Sequence, residues 1–355
     1  MDKVYKFIIQ KTVTDKIDKK DAVHLLELLK QEKDKKRQLD IAVIGMAAKT
    51  SRADNVRDFW ANLEEGVDGI RKIPLGRQRD LDEYLRFKKV EDEMAKYREL
   101  AYLDEIDKFD YEYFNLLPKE AELMDPNQRL FLQAAYTAIE DAGYNHADLK
   151  GTKTGLYLGF ITANFTYQNL LYEVDAAVGA STILANMAAL IPSRVSYLLD
   201  LRGPSILVDT TCSSSLVAVH LACQAIRSGE CEQALVGGVK INLMPLLNGP
   251  KIGIESSSAR TLAFDEASDG TGQGEGVGVV MLKPLKQALR DGDNIQAVIK
   301  GSAINQDGRS IGITAPNTEA QTEVISAAWD AARVDPETIS YIEAHGTGTK
   351  LGDPI

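Results

Sequence analysis

Cysteine is scarce in this chain, with three residues in 355 and no CxxC pair. That scarcity argues against a disulfide framework and against a zinc site, and it fits a reducing, cytoplasmic setting. Long apolar runs are missing as well. No stretch approaches the roughly 20 residues that a membrane-spanning helix needs. The N-terminus, Met1-Asp-Lys-Val-Tyr-Lys, lacks the basic-then-apolar layout of a secretory signal. Positive charge is in deficit, 41 Lys and Arg against 52 Asp and Glu, and the resulting −11 disfavours broad nucleic-acid binding.

What is present is ample apolar material, 44% of the residues, in a chain longer than one typical core. Two domains or one large one are expected. Residues 1–37 differ in composition from the rest. Val4, Phe7 and Ile8 form one short helical stripe, and Ala22, Leu25, Leu26 and Leu29 form a better one, with Asp18 or Asp21 as its cap. The charge run from Lys30 to Arg37 follows as a linker or fraying helix end. Two amphipathic helices cannot make a core, so this segment reads as a linker or docking element. His24 is an ordinary exposed histidine.

The informative stretch runs from Ser205 to Gly229. Ser205 to Asp209 is a β-branched and aliphatic run after Gly203-Pro204, hence a strand. From Ser213 the apolar residues cover nearly every face of a helix, which predicts a buried one, and Gly229 ends it. Cys212 lies where a buried strand is expected to turn into a buried helix, beside unpaired first-turn N–H groups and the positive end of the helix dipole. A thiolate is favoured there and would be a nucleophile. The alternative is a small buried hydrophobe. Ser213, Ser214 and Ser215 suit a first turn whose orphan amides need hydroxyl partners.

Leu39 to Met46 predicts the opening strand of the globular body, and Asn55 to Leu63 a helix with Phe59, Trp60 and Leu63 facing inward. Arg71 to Arg98 is charged and poorly patterned, so a surface excursion is expected. Asp125-Pro126 caps a helix that Gly143 stops. Further strands are predicted at Gly155–Phe160, Ala234–Ile241, Val277–Leu282, Ile295–Gly301 and Ile339–His345. Helices are predicted within Ala177–Leu199 and over Glu319–Ala332. Strand, buried helix, strand in succession implies crossovers and a parallel-rich sheet. The glycines between Asp269 and Gly278 precede a strand, so they fit close backbone approach rather than a nucleotide cradle. His146 lies in a polar loop, and His220 reads as a hydrogen-bonded core residue.

Four stretches resemble the motifs of β-ketoacyl synthases, in the family's order: Asp125-Pro-Asn-Gln-Arg-Leu, Asp209-Thr-Thr-Cys-Ser-Ser-Ser-Leu, Gly301-Ser-Ala-Ile-Asn-Gln-Asp-Gly and Glu343-Ala-His-Gly-Thr-Gly-Thr. The wording resembles the ketosynthase domains of bacterial modular polyketide synthases, closest to those with an acyltransferase acting in trans. Ala47-Ala-Lys-Thr-Ser-Arg and the residue before Gly274-Glu-Gly depart from the commoner wording. The resemblance implies an α/β thiolase-type fold, two similar halves in five αβαβα layers. The expected division is a helical segment at 1–37, an N-terminal half at 38–293, and the start of a C-terminal half at 294–355.

The resemblance also implies roles. Cys212 would take an acyl chain from the phosphopantetheine of an acyl carrier protein, and His345 would stabilise the enolate of a malonyl extender. Thr347 and Thr349 would bind the pantetheine arm. No cofactor or metal is expected to be bound. The expected partners are carrier-protein domains, a second copy in a homodimer, neighbouring synthase domains and a trans-acting acyltransferase, with no nucleic acid or membrane. Family members use a second histidine and a lysine in later motifs that do not occur before Ile355, so residues 1–355 alone are not expected to condense. A non-elongating module that docks and transfers acyl chains is the alternative reading.

Overall fold

The computed structural model describes residues 8–355 except 9, 13, 15, 36–38, 91–96, 162–165, 179–181, 184 and 248–252. The chain divides into two units, Met1–Leu39 and Asp40–Ile355. In the first, helix α1 (Lys19–Lys35) starts at Asp18, whose Oδ1 accepts the Lys20 N–H at 2.8 Å. Ala22 is buried, whereas Leu25 is 40% exposed. Val4, Phe7 and the Leu29 side chain lie outside the described residues.

The second unit is built on one six-stranded sheet in the order β3-β2-β4-β5-β1-β6. The strands are β1 (Ile41–Thr50), β2 (Thr154–Gly159), β3 (Ser205–Val208), β4 (Gln233–Lys240), β5 (Gly276–Pro284) and β6 (Ala297–Ile299). Two helices sandwich it, α2 (Pro126–Asp141) and α3 (Ser214–Ser228). Side chains alternate across a strand, and here the alternation sorts residues cleanly between the two layers. Ala42, Ile44, Leu156, Leu158, Leu235 and Met281 pack in one core with Phe131, Ala135 and Ala138 of α2. Their neighbours Ile41, Val43, Tyr157, Ala234, Val236 and Leu282 pack in the other with Ala218, Ala222 and Ile226 of α3.

The expected caps are present. Asp125 accepts the Asn127 N–H at 2.7 Å, Gly143 stops α2 at φ 79°, and Gly229 ends α3 at φ 81°. The strand pairing differs from expectation. Only β2–β3 and β2–β4 are parallel, while β4–β5, β5–β1 and β1–β6 are antiparallel. The connection after β4, residues 241–275, holds no crossover helix among its described residues, and β5 returns alongside in the opposite sense.

Several sequence expectations are corrected here. β3 is an edge strand with only Val208 buried, and α3 buries the face on the sheet while Leu216 stays 75% exposed, because one sheet covers one side of a helix. The helix at Val56–Glu64 leaves Trp60 and Leu63 exposed, and its Val56 and Phe59 open onto a cavity rather than a core. The charged stretch after Arg71 holds a helix at Leu75–Phe87 with Arg77 and Leu85 buried. By contrast, the helix expected within 177–199 is present, at Leu190–Leu198. Residues 339–345 form no ladder and are exposed, since an extended run becomes a strand only where another strand offers its backbone groups.

Candidate active site

β3 ends at Val208 and the chain turns through Asp209-Thr210-Thr211 into a short 3₁₀ turn, Thr211–Ser213, before α3 begins. Thr211 has φ 56°, a left-handed conformation that a β-branched residue enters at a cost of about 1–3 kcal/mol. Its neighbours hold it there. Ser214 Oγ accepts the Thr210 N–H at 2.9 Å and donates to the Thr211 carbonyl at 2.7 Å. Ser213 Oγ donates to the Thr210 carbonyl at 2.9 Å, and Asp209 Oδ1 accepts the Thr211 N–H at 3.2 Å. The serine hydroxyls therefore bind backwards, fastening the elbow, where capping of the helix was expected.

Glycine makes the elbow fit. A Cβ on Gly159, the last residue of β2, would lie 2.5 Å from the Ser215 backbone nitrogen. The first turn of α3 can therefore seat directly on the strand end. Cys212 is exposed at this seat and lines a cavity of about 630 Å³ with Phe59, Phe160, Leu216, Val239 and Val279. Gly276 and Gly278, from the glycine-rich stretch, belong to the same wall. The other two thiols are withdrawn from chemistry. Cys223 and Cys231 are buried in the core, and burial pushes each up to about 11.

Thr347 and Thr349 are brought together, their hydroxyls 2.9 Å apart. Asp353 organises their loop: its carboxylate accepts the Gly348 N–H at 3.0 and 3.2 Å, the Phe264 N–H at 2.7 Å and the Thr347 hydroxyl at 3.3 Å. Thr271 Oγ1 donates to the Thr347 carbonyl at 2.5 Å. A Cβ on Gly348 would stand 2.8 Å from the Gly270 carbonyl oxygen, so the two loops touch through backbone. His345 is exposed on this loop, and neither it nor the two threonines lines the Cys212 cavity.

A match to the beta-ketoacyl synthase N-terminal domain covers residues 38–288, and one to the C-terminal domain covers 296–355. The chain belongs to the beta-ketoacyl synthase family. Polyketide synthase PksL of Bacillus subtilis is 43% identical over 340 residues, 92% of this chain and 7% of that protein. Polyketide synthase ThaG of Burkholderia thailandensis is 45% identical over 319 residues, 89% of this chain and 6% of that protein. The ketosynthase from module 6 of the B. subtilis bacillaene synthase superposes with a TM-score of 0.75 at 41% identity, over 89% of this chain and 52% of that one. Ketosynthase twelve from the Bacillus amyloliquefaciens bacillaene synthase gives 0.78 at 38% identity, over 89% and 55%. The chain thus spans about half of the solved ketosynthases and under a tenth of these synthases.

The fold is the thiolase-type one of these ketosynthases, and β6, the helix Thr318–Ala332 and the histidine loop fall within the C-terminal-domain match. In this ketosynthase chain three organising groups escaped the sequence reading. Asp353 is one. Glu275 is another: buried, it takes Arg77 through both oxygens at 2.5 and 2.9 Å and the N–H groups of Leu103 and Asn242 at 2.9 Å each. It ties the glycine-rich stretch to a helix nearly two hundred residues earlier. Asn127 is the third, lining the cavity at 2% exposure. A buried-pair signal was available only in Glu275 standing between glycines. His220 is half-buried against Ser302 Oγ at 2.9 Å, and burial lowers its proton affinity, as a core histidine should show. His146 Nδ1 lies 3.3 Å from the Tyr136 hydroxyl.

Proposed function

We propose that Cys212 accepts an acyl chain from the phosphopantetheine arm of an acyl carrier protein, in a ketosynthase that joins it to a malonyl unit. The observation that carries this is the exposed thiol on a strained elbow, at a helix start, opening onto a largely apolar cavity. The thiolate attacks the thioester carbonyl, the pantetheine thiol leaves with a proton, and the Cys212 backbone amide faces the oxyanion. In the second step malonyl-carrier protein loses carbon dioxide, and its enolate attacks the acyl-enzyme carbonyl, forming the new carbon–carbon bond and expelling the Cys212 thiolate. His345 donates to the enolate oxygen, and Thr347 and Thr349 exchange their mutual bond for bonds to the pantetheine arm. The group needs no bound cofactor, because the substrates arrive on the carrier protein.

The partners follow from this reading. The edge strand β3, with Ile206 39% exposed, pairs with its counterpart in a homodimer, since an open apolar edge invites pairing. Residues 1–37 dock to neighbouring synthase segments, 38–293 and 294–355 are the two thiolase-like halves, and the extender is loaded by a trans-acting acyltransferase. A transfer-only module is the second reading, favoured by the cavity, which Cys212 enters without His345. The deciding experiment is intact-mass analysis after incubation with an acyl thioester. One adduct is expected, absent in Cys212→Ala, and carbon dioxide release from malonyl-carrier protein separates condensation from transfer. An adduct that persists in Cys212→Ala would refute the nucleophile.

A further inference from the structure

Along the elbow from Asp209 to Leu216 only Ser214 is buried, at 5% exposure. Its hydroxyl is used twice, accepting the Thr210 N–H at 2.9 Å and donating to the Thr211 carbonyl at 2.7 Å. The ring that these two bonds close contains the left-handed φ of 56° at Thr211. A β-branched residue stays in that region only where its surroundings hold it. The other side-chain fastenings come from Asp209 and Ser213, both exposed, where water competes for the same groups. Ser214 is itself held from below. A Cβ on Gly159 would stand 2.7 Å from the Ser214 carbonyl carbon, and one on Gly238 3.3 Å from the Ser215 Cβ. The first turn of α3 therefore rests on β2 and β4.

We propose that Ser214 is a positioning residue for the nucleophile: its two bonds hold Thr211 left-handed and so direct the thiol of Cys212, the next residue, from a place fixed on the sheet. The inference rests on the reading that Cys212 is acylated, and it names the group that keeps the thiol aimed. Without the hydroxyl, Thr211 relaxes toward ordinary backbone, and the thiol is presented in only a fraction of the molecules. The acylation rate then falls with that fraction. The rest of the cavity wall still binds the thioester, so the loss lies in the maximal rate and not in the half-saturating concentration.

The test uses the full-length protein and hexanoyl-pantetheine, with Cys212 acylation followed by intact mass over a range of thioester concentrations. Ser214→Ala should lower the maximal rate about tenfold to a hundredfold, with the half-saturating concentration within about twofold of its original value. Ser214→Thr and Ser214→Val are measured as a pair of one shape that differs in the hydroxyl, so the comparison stands even if the alanine variant folds poorly. Threonine should stay within about threefold of serine, and valine should show the loss. Glycine enters the left-handed region without strain, so in a Thr211→Gly background Ser214→Ala should cost less than about threefold. A merely structural role would slow both backgrounds alike. Equal rates for the threonine and valine variants, an equal loss in the two backgrounds, or a loss confined to the half-saturating concentration overturns the proposal. Failure of the unaltered protein to acylate Cys212 instead overturns the reading beneath it.

Discussion

The cysteine elbow and the histidine loop are fastened over different distances along the chain. At the elbow the bonds span two to four residues, Thr211 N–H to Asp209 and Thr210 N–H to Ser214. At the histidine loop some of the deciding bonds span 76 and 89 residues, Thr271 to Thr347 and Phe264 to Asp353. The elbow also sits against a buried sheet, whereas residues 339–345 are exposed and unladdered. A locally fastened site keeps its geometry whatever happens to the far chain. A site fastened from afar depends on segments that sequence reading has no reason to bring together.

The contrast is broken hardest at Glu275, the strongest of the long-range fastenings. Glu275→Ala leaves Arg77 a buried cation without its partner, which should cost about 3–5 kcal/mol in urea unfolding. A loss under about 1 kcal/mol would mean that the glycine-rich stretch is held by something else. Next in size is His345→Ala. Decarboxylation of malonyl-carrier protein should fall about a hundredfold to a thousandfold, while Cys212 acylation stays within about threefold. Collapse of acylation with decarboxylation intact would reverse the two roles.

The third effect belongs to the elbow's side of the molecule. Cys223 and Cys231 have thiols raised by burial from 9.0 to about 11, so the fold keeps protons that the unfolded chain has lost. Stability is fully present below pH 9 and should fall as pH rises from 9 to 11, by roughly 2–3 kcal/mol per thiol. Equilibrium unfolding across that range checks it, and a Cys223→Ala, Cys231→Ala double variant should flatten the slope. The smallest effect is expected for Asp353→Ala. Loss of its bonds to the Gly348 and Phe264 amides should cost about 1 kcal/mol on a half-exposed loop. Hydrogen exchange at those amides should quicken, with Cys212 acylation unchanged; a slowed acylation would show the two regions to be coupled.

Read from sequence alone, the strand, turn and helix around Cys212 were legible in outline, although the serines fasten the elbow instead of capping the helix. Gly229, Gly143 and Asp125 act as the caps their types predict, and β2, β4 and β5 lie within a residue or two of expectation. These features rest on local energies: which φ a residue tolerates, which side chain reaches its own backbone, which faces an alternation presents. Motif wording likewise identified the family and pointed to Cys212 over the other cysteines.

The tertiary structure decided what depends on a second surface. Residues 339–345 have strand composition but no neighbour, and Val56–Glu64 has an amphipathic stripe that opens onto a cavity. Arg77 reads as one charge among many until Glu275 buries it. Asn127 reads as a helix-start residue until Asp125 accepts from its amide and burial leaves its Oδ1 without a partner among the described residues. Propensity and capping are properties of a segment, whereas burial, ion pairing and ladder formation are properties of a meeting, and the residues that meet here lie tens to hundreds of positions apart.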